Sequence, residues 1–233
     1  MPRNTLTADQ IVQAAIAQLD EEGLDGLTMR ALGKRLDVAA TAVYWHIKTK
    51  DELVRLATDA AWAEVELPDP ARVGWREAAV RTATSSHAMF TRHPWMGQAF
   101  GGYLLYGPGK SRHDDHLLTV YEAAGFAPAD ADRAAAAVFT YVLGNALAPA
   151  AMVALNRRLA LGGEDAARSF AEAKERSVAI ARTFPRLRER VDSPAASYAG
   201  TPEESFVFGL TAMLDGFEAR LAAQVQAQTQ AQE

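Results

Sequence analysis

The sequence predicts an all-α protein, with a small three-helix N-terminal domain followed by a larger helical body. Three observations carry that expectation. No segment alternates apolar and polar residues over a useful length, whereas apolar residues recur at helical spacing along most of the chain. Alanine is abundant, and glycine and proline cluster at a few places, which favours helices over strands. Three stretches have the form of a capped helix start: Thr7-Ala8-Asp9-Gln10, Thr49-Lys50-Asp51-Glu52 and Thr201-Pro202-Glu203-Glu204. An apolar fraction of 49% and a charged fraction of 23% over 233 residues suit a soluble protein with one small and one ordinary-sized domain.

The first helix follows Thr7 and places Ile11, Val12, Ala15, Ile16 and Leu19 on one face. It runs into Asp20-Glu21-Glu22 and stops at Gly23, a residue suited to a left-handed C′ position. Acids there oppose the helix dipole, and the sequence offers no reason for them beyond solvent exposure. Thr28 caps a short second helix, Met29 to Leu36, with Ala31, Leu32 and Leu36 inward and Arg30, Lys34 and Arg35 outward. Asp37-Val38 makes a turn into a third helix from about Ala39 to His46. Val38, Ala42 and Val43 complete its core, and Thr41, Tyr44, Trp45 and His46 stay on the outer side. Thr49 opens a fourth helix through Leu53, Leu56 and Ala60 to about Val65, broken by Leu67-Pro68-Asp69-Pro70. The expected division is residues 1–50 as head, 51–66 as connecting helix, 67–228 as body and 229–233 as a frayed tail.

In the body a helix runs from Val73 to about Arg92 and ends at His93-Pro94. The aromatic-rich stretch from Trp95 to Gly109 reads as loop, and Arg112 to Ala124 as a short helix. Pro128 sits at the first turn of a long Ala-rich helix, kinked at Pro149 and ended by Gly162-Gly163. Glu164 to Arg182 is weakly amphipathic and ends at Phe184-Pro185, and Asp192 to Gly200 is a loop. The last helix carries Phe206, Leu210, Met213, Leu214, Phe217 and Leu221 at helical spacing, and the Gln/Ala tail from Gln224 is expected to fray.

The net charge of −5 conceals an uneven distribution. From Thr28 to Lys50 there are five basic residues, Arg30, Lys34, Arg35, Lys48 and Lys50, against the single acid Asp37, a local +4 that leaves −9 elsewhere. Two short helices joined by a tight turn form a helix-turn-helix, whose second helix fits the major groove of double-stranded DNA. Small Ala39, Ala40 and Thr41 allow close approach to base edges, and Tyr44, His46, Lys48 and Lys50 can donate to phosphates. The same charges also suit the solvated face of an ordinary helical domain.

The segment Gly23 to Leu53, GLDGLTMRALGKRLDVAATAVYWHIKTKDEL, resembles the N-terminal DNA-binding domain of the TetR family of bacterial repressors. Its run Tyr44 to Lys50 is closest to the tetracycline-repressor type. That resemblance implies base contacts from Arg30 and Thr41 and phosphate contacts from Thr28, Tyr44, His46 and Lys50, with Trp45 bracing the recognition helix. Ala39, Ala40 and Ala42 depart from the polar readers often found there, so Arg30 to guanine and methyl contacts to thymine remain, and the operator is expected to differ from the tetracycline repressor's. The segment Phe208 to Leu221 resembles the terminal helix of the family's regulatory domains. It implies a homodimer through a four-helix bundle, with Leu210, Met213, Leu214 and Phe217 at the interface and Gly209 and Gly216 allowing close approach. An apolar face that fills only the protomer's own core is the competing reading.

A family of this kind implies a small-molecule site in the body. His87, Phe90, Trp95, Phe100, Tyr103, His116, Leu117, Tyr121, Phe139 and Asn145 supply aromatic walls and a few polar handles for a lipophilic or aromatic effector. The same aromatics also suit a plain core. Glu64, Thr82 and Ser86 stand where the tetracycline-repressor type uses His, Asn and Phe, so tetracycline itself is not expected. The chain has no cysteine and no G-x-S-x-G, H-E-x-x-H or phosphate-binding glycine loop. His113-Asp114-Asp115-His116 lacks an identifiable third metal ligand. No catalytic residue, cofactor or metal is therefore expected. The N-terminus lacks the apolar core of a signal peptide, and no run approaches the ~18 apolar residues of a membrane span, so a cytoplasmic protein without a membrane partner is expected. The expected function is a dimeric repressor released from its operator by an effector. A DNA-binding dimer with a ligand-blind body, and an enzyme using His87, His113 or His116, remain as alternatives.

Overall fold

The computed structural model describes residues 6–193 and 201–230, and every regular element among them is helical. The head comprises α1 (Ala8–Gly26), α2 (Met29–Arg35) and α3 (Ala40–His46). The connecting helix α4 (Lys50–Ala61) ends in a 3₁₀ turn, Trp62–Glu64. The body follows with α5 (Pro70–Val73), α6 (Trp75–Arg92), α7 (Trp95–Gly102), α8 (Pro108–Ala123), α9 (Pro128–Ala181), α10 (Pro185–Val191) and α11 (Pro202–Gln230).

Threonine caps set the starts of α1, α2 and α4. Thr7 and Gln10 exchange side-chain and backbone hydrogen bonds of 3.2 and 3.0 Å. Thr28 Oγ1 accepts from Ala31 N at 3.1 Å, and Thr49 Oγ1 from Glu52 N at 3.0 Å. The turn between α2 and α3 needs Gly33, because a Cβ there would lie 2.9 Å from the Val38 carbonyl oxygen and 3.1 Å from the Ala40 nitrogen. Asp37 occupies the left-handed region at φ 54°, which Asp tolerates better than most side chains. Gly23 departs from the expected C′ geometry. Its φ of 74° is paired with ψ of −175°, a conformation reserved almost wholly for glycine, and helical geometry resumes to Gly26.

Four body expectations are corrected. Trp95 to Gly102 is a helix, because burial of Trp95, Met96 and Ala99 outweighs the low helix propensity of its glycines. The helix α8 starts at Pro108 rather than Arg112, because Asp59 of α4 accepts from Lys110 N at 3.0 Å and so supplies a cap from a distant element. Pro149 lies inside α9 without ending it, whereas Gly163 (φ 64°, ψ −153°) interrupts the helix where the glycine pair was expected to. Residues Pro185–Val191 form a further short helix, α10. The predicted loop Asp192 to Gly200 lies outside the described residues from position 194 onward. The terminal helix α11 continues through Gln224 to Gln230 instead of fraying, and 231–233 lie outside the described residues.

One apolar core runs from the head (Ile11, Leu32, Val43, Leu53) through Trp62 into the body (Phe90, Met96, Tyr121, Val138) and reaches α11. This corrects the expected dimer face at two of its four residues. Leu210 and Leu214 are 3% and 0% exposed within the protomer's own core, and Met213 and Phe217 pack against it. Gly209 serves α9 of the same chain, since a Cβ there would meet the Tyr141 hydroxyl at 2.1 Å, while Gly216 faces open space. Uncovered apolar residues among the described ones include Val207, Phe208 and Val225 on α11, and Leu147, Met152 and Val153 on α9. The helix α9 holds an 18-residue window apolar enough to cross a membrane, and only 22% of that window is buried.

Candidate nucleic-acid interface and effector site

The outward face of the helix-turn-helix combines the sequence-predicted residues with one correction. Arg30, Thr41, Tyr44, Trp45, His46 and Lys48 are exposed, and Ala40 and Lys50 are half-buried. Trp45 is 81% exposed and so braces nothing in the interior; Val43 and Ile47, two residues either side, take the inward positions of the helix. Lys48 Nζ lies 5.7 Å from the Trp45 ring centroid and donates to the carbonyls of Tyr44 and Trp45 at 3.0 and 3.1 Å, closing the C-terminus of α3.

The basic patch is weaker than its composition suggests. Both Arg35 guanidinium nitrogens donate to Glu21 at 2.7 Å, which holds the Glu21 carboxyl below its usual range. Lys50 Nζ donates to the Leu24 carbonyl at 2.6 Å. Arg30, Lys34, Lys48 and Lys50 have no ion-pair partner among the described residues, so all four keep their positive charge on this face, the last two with their ammonium groups turned to backbone carbonyls.

The acids at the end of α1 have the structural role that sequence reasoning missed. Asp20 Oδ1 accepts from Trp95 Nε1 at 2.7 Å and lies 2.7 Å from His93 Nδ1. The other nitrogen of His93 lies 3.0 Å from Glu64 Oε1, at the end of the connecting segment, and Glu64 also pairs with Arg92. His93 is 3% exposed, and both contacts are hydrogen bonds only when both ring nitrogens carry a proton. Arg157 of α9 donates to the Asp20 carbonyl at 3.1 Å. A Cβ on Gly23 would strike its guanidinium at 2.5 Å. Head, connecting helix and body thus meet at one partly buried polar junction. Near its other end, α4 is tied to the loop before α8, where Arg55 donates to the Tyr106 carbonyl at 3.3 Å and stacks on its ring at 4.7 Å.

The predicted effector residues divide among several places. Phe90, Phe100 and Phe139 come together around Trp62, with ring centroids 5.8, 6.4 and 6.2 Å from the indole and His113 at 4.5 Å. Trp62 was not among the predicted residues because it reads as part of a linker. Leu117 is buried on α8, and His116 and His113 turn Nε2 to Thr82 Oγ1 (3.2 Å) and Ser86 Oγ (3.3 Å) of α6. Burial holds both histidines below their usual pKa, as it does His87, which stacks on Phe206 at 4.2 Å. Tyr121 lies beside Trp75, Phe126 and Phe217, and burial pushes its hydroxyl up.

Besides His87 and Tyr121, which belong to separate ring contacts, three more predicted residues stand apart from the Trp62 group. Trp95 belongs to the Asp20 junction, since it sits about 140° around α7 from Phe100 at 3.6 residues per turn. Tyr103 lines a groove with Asp51, Arg55 and Tyr106 beside the start of α4. Asn145 donates to the Tyr141 carbonyl at 2.8 Å and lines a surface groove of about 670 Å³ with Pro149, Met152, Pro202 and Ser205.

Ser86, His113 and Asp114 stand in the order of a hydrolytic relay, with His113 Nδ1 3.3 Å from Asp114 Oδ1. The Ser86 hydroxyl already donates to the Thr82 carbonyl at 2.7 Å and is 2% exposed, so the arrangement staples α6 to α8 and offers no nucleophile to a substrate.

Comparison with known proteins agrees with this geometry. Residues 11–57 match the model for bacterial regulatory proteins of the tetR family, and residues 67–221 match the tetracyclin repressor-like C-terminal domain. An HTH-type transcriptional regulator of Saccharopolyspora erythraea is 38% identical over 140 residues, spanning 60% of this chain and 59% of its own length. The HTH-type transcriptional repressor DrrR1 of Streptomyces coeruleorubidus is 30% identical, over 95% of this chain and 80% of its own. Among solved structures, the Streptomyces coelicolor TetR family protein ActR in complex with actinorhodin aligns at a TM-score of 0.72 and 26% identity, covering 93% of this chain and 97% of that one.

Proposed function

The chain belongs to the TetR family of bacterial transcriptional regulators, and from that premise we propose that it is a cytoplasmic repressor released from a palindromic operator by a small aromatic or lipophilic effector. It is a DNA-binding regulator and not an enzyme. Residues 1–50 act as the reading head, 51–66 as the connecting helix and 67–228 as the effector and dimerisation body. Arg30, Ala40 and Thr41 face the bases. Thr28, Tyr44, His46, Lys48 and Lys50 hold phosphates, and Trp45 packs on the DNA backbone from its exposed position.

The observation that carries this reading is the placement of α4. It joins the head at Lys50, which reaches the Leu24 carbonyl, and enters the aromatic group of the body at Trp62. An effector that parts those rings displaces Trp62, and with it the helix that sets the separation of two heads in a dimer. The uncovered faces of α9 and α11 support a homodimer, because an apolar window only 22% buried in one protomer needs a second copy against it. The complex of ActR with actinorhodin supports a small-molecule effector.

Selection of bound fragments from genomic DNA, followed by footprinting and sedimentation of the complex, tests the proposal. A dimer protecting two half-sites ~34–36 Å apart, or a multiple of that, is expected. A monomer protecting one unpaired site overturns it.

A further inference from the structure

We propose that the indole N–H of Trp62 is the contact that reads the effector, and that the effector class is a flat aromatic bearing a carbonyl or phenolate oxygen, such as a hydroxyquinone. The inference rests on the effector reading above and goes beyond it in naming the reading atom and the ligand chemistry.

Trp62 is 2% exposed, and its Nε1 has no hydrogen-bond partner among the described residues. An indole has one donor and no acceptor, so only an acceptor can satisfy it. A buried donor left unpaired is costly, and sites that keep one commonly use it. The same protein satisfies its other deeply buried indole, Trp95, with a 2.7 Å bond to Asp20.

The surroundings select the ligand. Phe90, Phe100 and Phe139 present aromatic rings to the indole, and such surfaces favour a flat π-system in stacked or edge contact. Lys110 Nζ lies 4.6 Å from the Phe139 centroid and 5.4 Å from that of Trp62, over both rings. The unpaired donor favours an oxygen acceptor on that flat π-system. Asp114 pairs with Lys110 and lies 3.3 Å from His113 Nδ1, and neither contact uses the indole N–H. Phe100 and Phe139 are only partly buried, so a ligand enters by moving those two rings. Trp62 directly follows α4, so the reading contact and the element that moves the head are continuous in sequence.

The test uses full-length protein with 1,8-dihydroxyanthraquinone and anthracene as probes. Both are flat three-ring aromatics, and only the first carries oxygen acceptors. Wild type is expected to bind the hydroxyquinone at least about tenfold more tightly than anthracene, and W62F, which keeps a ring but loses the N–H, to lose that preference. In the ¹⁵N-labelled protein, one indole resonance absent from W62F should move downfield with the hydroxyquinone and stay in place with anthracene. Equal binding of the two probes to wild type, or an unmoved Trp62 resonance with hydroxyquinone bound, overturns the proposal. The wild-type comparison stands even if W62F folds poorly. Operator binding is measured in parallel without probe: its presence with no probe preference overturns this inference alone, and its absence overturns the regulator reading beneath it.

Discussion

The head and the aromatic group of the body are built on opposite plans. In the head, function lies on residues that make few contacts within the protein: Trp45 is 81% exposed, and Arg30 has no ion-pair partner among the described residues. In the body, the candidate site consists of residues that already contact one another, with Phe90 1% and Trp62 2% exposed. A surface that reads DNA must leave its donors available, whereas an effector site that transmits force must be continuous with the core. Substitutions in the head should therefore change recognition without changing stability, and substitutions in the body should change both.

The largest expected effect is Phe90→Ala, which empties the ring cluster. It should lower stability by about 3–5 kcal/mol in chemical denaturation. A loss under about 1 kcal/mol would mean that the cluster is loosely packed and does not couple body to head.

Asp20→Ala comes next. It strands the Trp95 indole and one nitrogen of His93 in a buried site, at a cost of about 1–3 kcal/mol. Its sharper consequence is functional: operator affinity should survive, while its response to effector weakens, read by fluorescence anisotropy. An unchanged effector response would remove the junction from the transmission route.

Arg30→Ala should leave stability within about 0.5 kcal/mol and relax discrimination at one base pair by roughly 1–3 kcal/mol. Uniform weakening over all sequences would assign Arg30 to phosphate instead.

The smallest effect is the pH response. His87, His113 and His116 are held below their usual pKa by burial. Above about pH 6.5 neither state binds these protons, so no penalty arises. Below it the unfolded chain takes up protons that the folded one resists, so stability should fall until the folded values are reached. His113→Gln should flatten that slope in thermal melts at a series of pH values. An identical slope would place the titration elsewhere.

The same contrast explains what the sequence made legible. The helices α1, α2 and α4 start at Thr7, Thr28 and Thr49, whose caps are completed within three residues, so local pattern was enough. The start of α8 was misplaced because its cap, Asp59, comes from another helix. The aromatic group could be anticipated only in part. Phe90, Phe100 and Phe139 joined it, but Trp95 and Asn145 left it because their helices turn them elsewhere, and Trp62 entered from a segment that reads as linker. Asp20 looked like an exposed acid against the helix dipole, since its partners His93 and Trp95 are distant in sequence. On α11, periodicity found the apolar stripe but could not say whether Leu210 and Leu214 face a partner or the protomer's own core.

The central claim is that effector and operator compete through the position of α4. Its most direct test is titration of one effector, identified by thermal-shift screening, into the free dimer and into the operator-bound dimer. The account predicts binding to the free protein about 5–150-fold tighter, the span of a typical coupling of 1–3 kcal/mol, with the same factor appearing in operator affinity. Equal effector affinity for the two forms would contradict it, because a ligand that does not distinguish two states cannot shift the balance between them.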